Sequence, residues 1–130
     1  MKVLNLTLQI IGFIQILLGL VFLLVPRQYA EFMNLPVIPD WGLWLFAMMA
    51  ARFIGYGIGM FAASRDPIKY QLWIDTMIGI QCIDWIATLV FLSMEKLTLA
   101  DVTTAAILPP IFIIILMYYR IISEERILSY

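Results

Sequence analysis

At 130 residues, 64% of them hydrophobic and 13% charged, the chain lies far from the soluble balance of about half apolar and a quarter charged. It has room for four membrane spans of about 20 residues with short connections, and none for a separate soluble domain. A net charge of −1 offers no basic face for nucleic acid, and without histidine the usual zinc, copper and bis-histidine haem sites are excluded.

Taken in chain order, the first apolar stretch covers residues 3–25, long enough to cross about 30 Å of hydrocarbon as a helix. It is longer than the apolar core of a secretory signal and no small-x-small cleavage site follows, so it is read as a retained anchor. Gln15 lies in its middle, flanked by Gly12 and Gly19, which let a neighbouring helix approach that face. The connection "PRQYAEFMNLPVIPD" carries Tyr29, Phe32 and Met33 at helical spacing after Pro26. This predicts a short helix lying at the interface, closed off by Pro36 and Pro39.

The second span, 41–63, holds Arg52 at its centre, about 16 Å from either end at 1.5 Å per residue and too deep to snorkel easily. Beside it Ala47, Ala51, Gly55, Gly59 and Ala63 form one i+4 stripe, a seam along which two helix backbones can come close. After "SRDPIKY" the third span, 71–93, carries Asp75 near its start, then Gln81, Cys82, Asp84 and Thr88. Asp75 is shallow and read as hydrated or paired with Lys69 or Arg65. Cys82, the single cysteine, forms no intramolecular disulfide or CxxC pair and is read as a packing residue. The fourth span, 102–122, contains Pro109 and Pro110, which free the carbonyls of Ala105 and Ala106 and are read first as a kink. A short polar tail, "SEERILSY", follows.

An ionisable residue inside a span is expensive and needs a partner. In an antiparallel hairpin turning near Ile68, the position opposite Arg52 is close to residue 84, an aspartate, so an Arg52 to Asp84 ion pair is expected at mid-membrane. A guanidinium has five donors, and Gln15, at the same depth, is a further acceptor; Gln81 and Thr88 share the Asp84 face. No catalytic triad, phosphate loop, metal-spaced carboxylate pair or cofactor motif accompanies this cluster, so no metal, cofactor or catalytic residue is expected.

Outside the spans, Lys2, Arg65, Lys69, Arg120 and Arg126 fall on the side of the termini and Arg27 and Lys96 on the other. Five against two places both termini in the cytoplasm of a bacterial-type inner or plasma membrane. The architecture expected is all-α: an antiparallel bundle of four transmembrane helices in one domain, with a short interfacial segment between the first two.

Four short spans, the loop "VPRQYAEFMNLP", Arg52 followed by "IGYGIG", and "SRDP" leading into the third span resemble the small DoxX-like membrane proteins, over most of the chain. The resemblance implies the four-helix architecture; some members of that group are associated with quinone-linked oxidoreductases as small membrane subunits. Nothing in the chain matches a redox cofactor motif, so a redox activity does not follow. Two functions are consistent with these features. The first is a non-catalytic subunit or scaffold in the bilayer, packing against larger membrane partners or other copies of itself. The second is a site for a quinone head group, a lipid or a transported proton, built on Arg52, Asp84 and Gln15.

Overall fold

A computed structural model describes residues 2–100 and 102–129. The described residues form five helices: α1 (Lys2–Leu24), α2 (Pro26–Phe32), α3 (Asp40–Arg65), α4 (Gln71–Ser93) and α5 (Thr103–Leu128). Four of them, α1, α3, α4 and α5, are long and apolar enough to cross a membrane. The chain is therefore an all-α bundle of four candidate spans, with α2 as the short segment between the first two. Successive spans run antiparallel, so the α3–α4 connection shares one end of the bundle with both termini. We call this the terminal end.

Local chemistry explains the breaks. Pro26 opens α2 at a position where a missing backbone N–H costs nothing. Asn34, in the left-handed region at φ 56°, closes it, with Asn34 N–H donating to the Glu31 carbonyl and Leu35 N–H to the Ala30 carbonyl. Glu95 ends α4 with the same pair of bonds, to Leu92 and from Lys96 to Phe91. Arg27 then ties the start of α2 to the start of α3, its Nη2 standing 2.7 Å from Asp40 Oδ1.

The sequence "SEERILSY", expected as a polar tail, largely continues as helix to Leu128. Glu124 is one turn beyond Arg120 and pairs with it at 2.7 Å, which supports helix past the apolar stretch.

Packing divides the bundle into two pairs. α1 lies on α3 over an extended seam and α4 lies on α5, whereas α3 touches α4, and α1 touches α5, only sparsely. The α1/α3 seam rests on glycine. A methyl group added to Gly12 would stand 3.0 Å from the Gly57 carbonyl oxygen, and one on Gly19 would stand 3.0 Å from that of Ala50. Seven residues forward on α1 thus matches seven back on α3, a single antiparallel register in which the backbones themselves touch. The stripe expected from i+4 spacing is split instead. Gly59 and Ala63 are buried, Gly59 under the Trp73 ring of α4, while Ala51 and Gly55 are exposed and Gly55 has nothing within 4 Å of its missing methyl. The helix axis, not the stripe, decides which small residues meet a neighbour, and α3 turns Ala50 and Gly57 toward α1.

Among the described residues, all four long helices meet near the terminal end, where Leu4, Leu8 and Ile11 pack with Met60, Ala63, Ile74, Met77 and Leu116. Toward the opposite end a second cluster joins α1, α2 and α3 alone, with the Phe22 ring edge-on to Tyr29 at 4.8 Å and to Phe46 at 5.0 Å. Between these two clusters α4 leans away from α3.

Candidate functional site: an open polar cavity at mid-span

The separation of α3 from α4 leaves a cavity of about 500 Å³ lined by Gln15, Met49, Arg52, Phe53, Tyr56, Ile80 and Asp84. It is built by three helices. α1 contributes Gln15, α3 contributes one face at residues 49, 52, 53 and 56, and α4 contributes Ile80 and Asp84, one turn apart. The α1/α3 seam fixes the back wall, because Gly12 and Gly19 bracket Gln15 and hold α3 against that face. Tyr56 closes the terminal side, its ring edge-on to Trp73 at 5.5 Å.

Arg52, Asp84 and Gln15 therefore share one space, as their common depth implies. The expected direct contact between Arg52 and Asp84 is not made: among the described residues the ion pairs within 4.0 Å are Arg27–Asp40, Arg120–Asp75 and Arg120–Glu124. Counting back from a hairpin turn gives depth only, and α3 and α4 splay instead of lying flush. Arg52 turns back on its own helix, Nη1 donating to the Met48 carbonyl at 2.9 Å, and most of its donors stay unused. The Asp84 carboxylate accepts no hydrogen bond from the described residues. Both side chains are exposed, so the cavity is open.

Gln15 differs from both. Only 6% of the residue is exposed, and its amide, which bonds none of the described residues, opens on the cavity; among the described residues the sealed side-chain atom without a partner is Asn5 Oδ1, elsewhere on α1. An amide that opens on the cavity can bond whatever occupies it, as donor or as acceptor.

Two residues expected in the cluster stand off it. Gln81 is buried outside the lining, its Nε2 donating to Met77 Sδ at 3.5 Å. The Thr88 hydroxyl donates to the Asp84 backbone carbonyl at 2.8 Å, one turn back along α4. Tyr56, not singled out from the sequence, belongs to the site; the legible signal is its place four residues after Arg52, on the same helix face. Asp75 finds neither Lys69 nor Arg65 but Arg120 of α5, whose Nε donates to its Oδ1 at 2.8 Å. With its oxygen turned to the guanidinium, the Gln71 amide adds another acceptor there. Of the two carbonyls released by the proline pair, that of Ala106 accepts the Trp85 indole N–H at 3.0 Å, which locks α4 to α5 away from the cavity.

Chemically the cavity presents donors on Arg52, an acceptor on Asp84, and groups on Gln15 and Tyr56 that serve as either, against the apolar walls of Phe53 and Ile80. Such a set has the donors and acceptors to bond a polar head. Among the described residues no three His, Cys, Asp or Glu side chains gather as metal ligands. The chain matches no family model, no curated protein and no solved structure.

Proposed function

We propose that this protein is a small multi-pass membrane protein whose cavity binds the polar head of a membrane-soluble ligand, a lipid or a quinone. The observation that carries this is the lining: the Gln15 amide, the Asp84 carboxylate and most of the Arg52 guanidinium open on one space without bonding one another. Charges exposed at mid-span are costly in hydrocarbon unless something polar meets them, and a ligand head does so. The excess of Lys and Arg at the terminal end supports cytoplasmic termini, and helical apolar spans suit an inner or plasma membrane. The likeness to DoxX-like proteins supports a role beside a larger membrane enzyme.

A second function, as a non-catalytic subunit or scaffold, is favoured by Ala51 and Gly55, small residues exposed on α3 with open space beside them. The two roles are compatible, because a subunit can hold a ligand for its neighbour.

One preparation tests both. The wild type and Gln15→Leu are purified from the native membrane in mild detergent, extracted with organic solvent and analysed by mass spectrometry. The wild type is expected to carry a hydrophobic ligand near one per chain, and the variant about tenfold less, the loss of one or two hydrogen bonds. Equal ligand content in both removes Gln15 from the binding site, and none in either removes the ligand function. A larger protein migrating at fixed stoichiometry supports the subunit role, and its absence counts against it.

A further inference from the structure

The balance of charge, depth and hydrogen bonding in the cavity narrows the ligand further. Resting on the ligand-binding function above, we infer that the site takes an uncharged lipid whose head carries both a hydroxyl and a carbonyl, as in a diacylglycerol. The hydroxyl donates to the Asp84 carboxylate, and the carbonyl accepts from the Arg52 guanidinium and the Gln15 amide.

Charge is the first reason. Arg52 and Asp84 supply one charge of each sign to the same lining without touching each other. An anionic head that met Arg52 would face the Asp84 carboxylate at close range, and a cationic head would face Arg52. An uncharged head serves both without adding a repulsion.

Depth is the second. Arg52 is twelve residues into α3, which begins at Asp40, or about 18 Å along the helix. A zwitterionic phospholipid could match the two charges, but its head would have to leave the interface and travel that far into hydrocarbon, where carrying charge is expensive. An uncharged lipid already moves through that layer.

Hydrogen-bond inventory is the third. Asp84, when ionised, only accepts, so it needs a donor; Arg52 only donates, so it needs an acceptor. Gln15 offers both and so fits between them, and Tyr56 adds a hydroxyl that bonds none of the described residues. A fully esterified lipid supplies acceptors alone and leaves Asp84 unmet. Phe53 and Ile80 accept the acyl portion.

The test uses the whole protein in phosphatidylcholine nanodiscs doped with equal mole fractions of four probes: diolein, triolein, dioleoyl phosphatidic acid and dioleoyl phosphatidylethanolamine. Lipid retained by the protein after mild-detergent extraction is read by mass spectrometry as enrichment over the bulk mixture. Diolein is expected to exceed triolein about tenfold, the return of one hydrogen bond to a charged acceptor. Asp84→Leu should bring diolein and triolein to parity and raise phosphatidic acid; where that variant does not fold, Asp84→Asn should still reduce the preference. Phosphatidic acid or phosphatidylethanolamine enriched above diolein in the wild type overturns the uncharged-lipid assignment and leaves the ligand cavity standing. So does a native ligand found on the purified protein with none of the four probes enriched. A diolein preference untouched at Asp84 overturns the assigned hydrogen bond. No probe enriched and no native ligand found would remove the assignment and the ligand function together.

Discussion

The α4/α5 and α3/α4 hairpins are built from the same materials and end differently. Each joins two antiparallel spans, and each places an aspartate on α4 opposite an arginine on its neighbour. Asp75 and Arg120 meet at 2.8 Å, with Glu124 completing the group. Arg52 and Asp84 do not meet and instead border an open cavity. The difference lies in what else holds the helices together. α4 and α5 pack along their length and are pinned by the Trp85 bond to the carbonyl that Pro110 releases. α3 is committed to α1 by backbone contact at Gly57 and Ala50, and it meets α4 mainly where Tyr56 and Gly59 lie against the Trp73 ring. An ion pair closes where packing has already brought the backbones together. It does not by itself draw two splayed helices into contact, since the attraction must also repay the desolvation of both groups.

The largest expected effect follows from breaking the seam that commits α3 to α1. A side chain at Gly57 would begin 2.5 Å from Ile16 and 2.9 Å from the Gly12 carbonyl oxygen, so Gly57→Leu should cost about 3 kcal/mol or more and lower the thermal midpoint sharply. Two residues away, Gly55→Leu meets open space and should leave monomer stability within about 0.5 kcal/mol. Equal losses at the two sites would show that the α1/α3 register is wrong.

A smaller effect is expected in the closed hairpin. Trp85→Phe leaves the Ala106 carbonyl without its indole partner and should cost about 1 kcal/mol. In a Pro110→Ala background the restored helical N–H takes that carbonyl, and the same substitution should then cost less. A cost unchanged by the background would separate the Trp85 bond from the proline. Least of all is expected from Arg27→Gln. Its pairing with Asp40 is exposed, at 52% and 95% of the two side chains, and should contribute under about 1 kcal/mol, declining with added salt.

Much of this structure was legible in the sequence, for physical reasons that also mark the limit. Hydropathy over 20 residues reports how long a helix stays in hydrocarbon, so the four spans and the Pro26-initiated segment could be read directly. Depth is a matter of counting along a helix, so Gln15, Arg52 and Asp84 could be placed at one level. Azimuth is harder. The spacing of Ala51, Gly55 and Gly59 suggests a continuous seam, but the neighbour that fills it depends on how far each helix turns, and the seam in use runs through Gly57 instead. Lateral separation is harder still, since it depends on tertiary packing that no single hairpin encodes. Counting about the α4–α5 connection would have paired Asp75 with a residue beside Arg120. The same counting about the α3–α4 connection gave a pair that the splay keeps apart.

Arg52 and Asp84 face a shared cavity without bonding to each other. A double-mutant cycle on Arg52→Leu and Asp84→Leu measures this most directly, read from unfolding of the ligand-stripped protein in detergent micelles. With the two side chains apart, the single changes should add, with a coupling under about 0.5 kcal/mol. A coupling of about 3 kcal/mol or more, with each single variant strongly destabilised and the double variant restored, is the behaviour of a closed buried pair and would contradict it.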